Sequence, residues 1–176
     1  MISNPSPATF KYSLFEQNVV MDMRIREETL VTRLVIRQSW IDARFFWMDD
    51  CRFKDIELLH VNIDKIWRPD IAVHNNVDGT YISSSASDFQ AVVFSNGTVL
   101  HSHIGKYSTF CRVNVRNFPY DEQVCSIDFH PFVYSGEDVK LRSGEVMRKN
   151  LKPNVEWELK RATTEYIGIL LDSCRL

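Results

Sequence analysis

Two cysteines with thirteen residues between them, Cys111 and Cys125, constrain this chain of 176 residues more than any other feature. Each lies in a period-two pattern. Cys111, Val113 and Val115 alternate with Arg112, Asn114 and Arg116, and Cys125, Ile127 and Phe129 alternate with Ser126, Asp128 and His130. Such alternation marks extended segments with one buried and one wet face. Both cysteines fall on the apolar register, so the spacing predicts a disulfide that pins both ends of the connecting loop to the core. Closing a loop of that size is worth about 3 kcal/mol in the chain-entropy picture. At the loop's centre, Phe118-Pro119-Tyr120 sets a proline between aromatics. A tight turn is expected there, at a bond type for which cis is affordable.

The rest of the chain repeats short strand signals. A first strand is expected over 10–20 and a second over 30–40, with Leu30, Leu34, Ile36 and Trp40 on one face and Val31, Arg33, Val35 and Arg37 on the other. Further strand patterns fall at 56–62, 71–75, 80–84, 89–95, 98–103, 108–116, 122–130, 137–142 and 155–161. Turn residues separate them, notably Ser95-Asn96-Gly97, a hairpin signal, and the charged turn at 24–28. No ten-residue stretch carries a helical period. The pattern predicts an all-β protein, an immunoglobulin-like β-sandwich of about ten strands. Residues 1–9, rich in proline and serine, read as a flexible lead-in to a single domain over 10–176.

Three motifs in order then carry a resemblance: Trp40-Ile41-Asp42, Trp67-Arg68-Pro69-Asp70 followed by Asn75, and the Cys111–Cys125 loop with Phe118-Pro119-Tyr120-Asp121 inside. From about Phe10 to Leu176 the chain resembles the extracellular ligand-binding domain of the Cys-loop receptors, the pentameric ligand-gated ion channels. It is most like nicotinic-receptor domains and the soluble acetylcholine-binding proteins. The resemblance implies a homopentamer, an extracellular location, and a small amine ligand held between subunits in a box of aromatic rings. In that family such a ligand is held by the attraction of a cation to ring faces, worth about 2 kcal/mol or more when desolvated. It also implies that the domain ends here before its last strand, and that any membrane contact runs through a channel domain outside this sequence.

Carried over by position, the principal face of that site would comprise His74, Phe132, Tyr134, Tyr166, Asp172 and Cys174, and the complementary face Val35, Arg37, Leu100 and Ser102. Val35 stands where the family has a tryptophan, and His74 where it has an aromatic residue. Cys174 stands alone where two adjacent cysteines are usual. Phe132 is the one box position that keeps an aromatic ring. The expected box is therefore degenerate, and acetylcholine or nicotine should bind it poorly.

Other chemistry is thinly represented. A net charge of −2 makes no case for nucleic acid. No apolar run approaches the roughly 20 residues of a membrane-spanning helix, and the N-terminus has no signal-peptide pattern. His101 and His103 point to one face of a strand without evident further metal ligands, and no cofactor or metal is expected. Asp49, Asp50 and Asp70 read as solvated or structural rather than as a calcium site. Asp128 and His130 share a face with no activated nucleophile, so no enzyme is expected. Asn96-Gly97-Thr98 is a glycosylation sequon on a turn. Cys51 and Cys174 read either as free thiols or as a second bridge. Two rival readings stand beside the ligand-binding one: a ring-forming structural subunit that binds no agonist, and a secreted β-sandwich interaction module.

Overall fold

The computed structural model describes residues 8–16, 22–79, 90–134, 139–142, 147–148 and 156–165. Among the described residues are ten strands: β1 (Ala8–Glu16), β2 (Asp22–Arg24), β3 (Thr29–Phe46), β4 (Leu58–Asn62), β5 (Ile71–Val73), β6 (Gln90–Phe94), β7 (Asn96–Phe110), β8 (Phe129–Pro131), β9 (Val139–Arg142) and β10 (Met147–Arg148). The described residues include no α-helix, only three 3-10 turns. The expected all-β sandwich is what forms.

The larger sheet runs in the order β10-β1-β3-β7-β6-β4, with β2 also on β3 and β9 also on β1; the smaller pairs β5 with β8. Its spine is the antiparallel pair β3–β7, in continuous register from Thr29↔Phe110 to Ile41↔Thr98. The apolar pattern sets that register. On β3 the even-numbered residues Thr32, Leu34, Ile36, Gln38 and Trp40 are buried, and on β7 the odd-numbered Tyr107, Gly105, His103, His101 and Val99 are buried opposite them in that order. A slip of one residue would turn the whole set to solvent. Fully burying a Leu, Ile or Val side chain contributes about 1.5–3 kcal/mol.

The small sheet and the residues flanking it close over this inner face in two places. Val73, Ile71 and Phe129 pack on Leu34, Ile36 and Tyr107, while Trp67 and Tyr134 pack around Trp40, Ile63 and Val99. Gly105 makes one of these contacts possible. A Cβ there would lie 2.6 Å from the Tyr107 ring, so the ring occupies the space over a residue with no side chain. From that position its hydroxyl meets His103 Nε2 at 3.3 Å.

The structure corrects several element boundaries. Separate strands were expected at 98–103 and 108–116; one strand, β7, covers the first and stops at Phe110. No strand is assigned over 111–128, although the burial alternation holds at Cys111, Val113, Cys125 and Ile127, which are less exposed than their neighbours; it fails at Val115, expected on the apolar register but 55% exposed. The reason lies in the backbone partners. Asn114 N donates to Gln123 Oε1 (2.9 Å) and Gln123 Nε2 donates to Asn114 O (3.0 Å), so a side-chain amide stands where a ladder would run. The 122–130 strand shrinks to Phe129–Pro131, because Asp128 N donates to Asn75 Oδ1 rather than to a strand. The expected strand over 155–161 is likewise not a strand in its described part, 156–161. β2 was not anticipated, and the expected strand at 80–84 lies outside the described residues.

At the hairpin between β6 and β7, Gly97 adopts φ +79° and a Cβ there would lie 2.9 Å from the Asp42 carbonyl oxygen. Both conditions call for glycine. Below it, Asp42 is fully buried and takes a forked contact from Arg44, at 2.9 Å from Nε and 2.6 Å from an Nη atom. That guanidinium holds the Asp42 carboxyl below its ordinary range.

Candidate functional site

The disulfide Cys111–Cys125 is formed, with its Cα atoms 5.1 Å apart, and the Phe118–Pro119 peptide within the loop is cis. The loop is tied to its surroundings at both ends. Cys111 N donates to Glu28 O (2.7 Å), and Asn75 grips the returning segment twice, donating from Nδ2 to Ser126 O (3.0 Å) and accepting from Asp128 N (3.1 Å). Its tip presents apolar surface to solvent, with Phe118 78% and Tyr120 87% exposed. An ion pair joins Glu122 on the loop to Lys160.

Asn75 also begins the first candidate half-site, because its neighbour His74 follows β5 directly. His74 N donates to Asp128 O at 2.7 Å, which sets the His74 ring beside β8. There it meets His130 edge to face, with centroids 5.0 Å apart at 89°, and His130 in turn leans on Phe132 at 6.4 Å. Phe132 is 67% exposed, so it is a surface ring rather than a core one. Its backbone is positioned by Asp70, whose carbonyl accepts from Phe132 N (3.0 Å) and whose Oδ2 accepts from Val133 N (2.7 Å). The aspartate of the Trp-Arg-Pro-Asp motif thus shapes the turn that carries Phe132.

Tyr134 goes elsewhere. Its hydroxyl accepts from Trp67 Nε1 at 3.0 Å, and its ring packs edge-on against Trp67, which packs edge-on against Trp40. Of the principal-face candidates, then, His74 and Phe132 share one ring cluster and Tyr134 joins the core. Tyr166, Asp172 and Cys174 lie outside the described residues. His130, which the sequence reading placed on one face with Asp128, is the member that was not assigned to the site, although it stands two residues before Phe132.

The complementary-face candidates do come together. Arg37 faces Ser102 across the β3–β7 ladder and its Nε donates to Ser102 Oγ (3.4 Å). Val35 and Leu100 occupy adjoining positions of the same outer face, and all four are half-buried. This face is turned away from the small sheet, so the two half-sites of one chain lie on different sheets.

The remaining polar clusters are accounted for inside the fold. His101 and His103 stack in the core with centroids 5.7 Å apart. Burial pushes His103 down to about 4, helped by the charges of His101 and Arg68. Among the described residues no group of three or more His, Cys, Asp or Glu side chains is arranged to hold a metal. Cys51 is exposed and carries no disulfide. Asn96 is exposed at the β6–β7 hairpin, with its Oδ1 accepting from Thr98 N (3.0 Å).

Comparison with known proteins agrees with this architecture. Residues 6–169 match the family described as neurotransmitter-gated ion-channel ligand binding domain. The chain belongs to that family. It is 30% identical over 136 residues to the neuronal acetylcholine receptor subunit beta-4 of Rattus norvegicus, covering 76% of this chain and 27% of that protein. It is 31% identical over 157 residues to the alpha-5 subunit of Homo sapiens, covering 88% of this chain and 32% of that protein. The chain thus spans about a third or less of the length of these relatives.

Proposed function

We propose that this domain binds a small molecule extracellularly, in a pocket completed only when the outer face of β3–β7 on one chain meets the His74–His130–Phe132 cluster on the next, within a pentamer. The observation that carries this reading is the division of the candidate residues. Each half-site is internally coherent, and the two lie on different sheets, so a single chain cannot close the pocket. The degenerate aromatic box leaves an amine ligand with one exposed phenyl ring, Phe132, and two imidazoles in place of a full cage. Weak amine binding is the expected consequence. A second reading, a ligand bearing a carboxylate, is favoured by Arg37. A half-buried guanidinium on the complementary face repels an amine and matches a carboxylate geometrically. The exposed tip of the Cys111–Cys125 loop would contact a channel domain, and Asn96 would carry a glycan.

The test has two parts. Light scattering behind size exclusion measures the mass: a chain of 20.6 kDa gives a five-membered ring of about 100 kDa, and about twice that if rings stack. Calorimetric titration of the ring with choline esters and with small amino acids then separates the ligand classes. Binding of neither leaves the structural-subunit reading in place, and a species that remains at 20.6 kDa refutes the inter-chain pocket.

A further inference from the structure

Across four strands of the large sheet the outer face carries charge of one sign. Along β3, β4, β6 and β7 the outward positions carry the cations Arg33, Arg37 and Lys106, and no aspartate or glutamate. Asp22, at the β2 corner beside Val31, is already paired with Arg24 at 3.5 Å. The chain as a whole is negative, at −2, so this cationic face is compensated elsewhere on the molecule.

Two of these cations are placed oddly. Arg33 and Lys106 are directly opposite each other across the β3–β7 ladder, both exposed, and neither side chain has an ion pair or hydrogen bond among the described residues. Like charges in that relation destabilise a sheet. An anion seated between them would turn the arrangement from a liability into a contact.

The other half-site supplies one at the right height. Asp128 is exposed, its carboxylate has no partner among the described residues, and alternation puts it on the face of His130 and Phe132. It stands four residues before Phe132, just as Arg33 stands four before Arg37, a displacement of about 13 Å at some 3.3 Å per extended residue. Both displacements run toward the disulfide. β3 begins at Thr29, opposite Phe110 and next to Cys111, and Asp128 follows Cys125 by three residues. Copies related by rotation about a ring axis keep their heights. If Phe132 of one copy and Arg37 of the next are level enough to form one pocket, Asp128 and the Arg33–Lys106 pair are level too.

We infer that a second copy of this chain docks on the outer face with its Asp128 between Arg33 and Lys106, an electrostatic latch on the disulfide side of the ligand pocket. The inference rests on the ring proposed above and specifies what selects the neighbour. The latch steers association and makes it sensitive to salt.

The test is a charge swap read by light scattering at low and high salt. Reversal on one side alone, by R33E with K106E or by D128K, raises the dissociation constant of each interface roughly tenfold or more at low salt. Carrying both reversals on one chain restores assembly. D128K with only K106E serves as the milder rescue. All three positions are exposed, so far-UV circular dichroism unchanged from the parent shows that folding is intact. A parent ring that persists while every variant assembles equally well overturns the latch and leaves the ring reading standing. A parent that stays at 20.6 kDa at every concentration overturns both.

Discussion

Removing the Asp70 carboxylate examines the turn that presents Phe132. Its Oδ2 accepts from Val133 N at 2.7 Å, while its own carbonyl accepts from Phe132 N at 3.0 Å, so one residue fixes two successive backbone groups. D70A deletes only the carboxylate contact. A hydrogen bond to a charged group contributes about 1.5–3 kcal/mol to stability. The Val133 side chain is 76% exposed, so water can reach the freed N–H and offset part of the loss. The expected cost is therefore about 1–2 kcal/mol. D70N keeps an acceptor in place and should cost about half as much or less. Urea titration followed by tryptophan fluorescence reads both, since Trp67 lies three residues away and packs on Tyr134 just beyond the turn. The same variants should weaken any ligand that needs Phe132 in its present position. If D70A leaves the urea midpoint unchanged, the carboxylate does not hold the turn, and the argument that the Trp-Arg-Pro-Asp motif builds this half-site fails.

Other perturbations test other parts of the fold. Replacing both Cys111 and Cys125 by serine should cost about 3 kcal/mol, read as a lowered denaturation midpoint. G97A should destabilise by about 1–3 kcal/mol, because alanine must hold φ +79° against the Asp42 carbonyl; an unchanged melting temperature would contradict this. R44A leaves the Asp42 carboxylate buried without its forked partner and should cost toward the lower end of about 3–5 kcal/mol, since Arg44 itself is partly exposed. Asp42 is held below its ordinary value in the folded state, so its stabilising effect is present above about pH 4 and is lost as pH falls through the folded value. His103 acts in a higher window. It is held neutral by burial down to about 4, whereas the unfolded chain takes up the proton near 6.5, so stability should fall by roughly 3 kcal/mol as pH drops between those values. Denaturation of H103Q across that range should show a flatter pH dependence, and an unchanged slope would place the titration elsewhere.

The features legible in the sequence were those with a local signature. Alternation on β3 assigned Leu30, Leu34, Ile36 and Trp40 to the core face and Val31, Arg33, Val35 and Arg37 to the other; the structure keeps that division from Arg33 to Trp40 but buries Val31 and leaves Leu30 half-buried, because β2 pairs with β3 there. The spacing and apolar register of Cys111 and Cys125 were enough to predict their bridge. Where the reading failed, alternation was present without a partner strand. Cys111, Val113, Cys125 and Ile127 face inward as predicted, yet the backbones of the alternating residues Asn114, Ser126 and Asp128 are tied by Asn75 and Gln123 side chains, and periodicity says nothing about who satisfies a hydrogen bond. The half-sites were legible unevenly for the same reason. Residues on one strand pair, such as Arg37 and Ser102, follow from sequence position, whereas the separation of Tyr134 from Phe132 depends on Trp67 reaching over sixty residues along the chain to bind the Tyr134 hydroxyl.

The ring of Tyr107 lying across Gly105 bears on the order in which this sequence can change. A side chain at 105 and a ring at 107 compete for one volume, so the two positions are not free to vary independently. G105A arriving first must displace the ring and its contact with His103, whereas G105A arriving after Tyr107 has been shortened meets little resistance. A double-mutant cycle between G105A and Y107A should therefore show strong coupling, with the second substitution less harmful than either alone would suggest. For a lineage, that makes the order matter: while Tyr107 keeps this place, any residue with a Cβ at 105 must first move its ring.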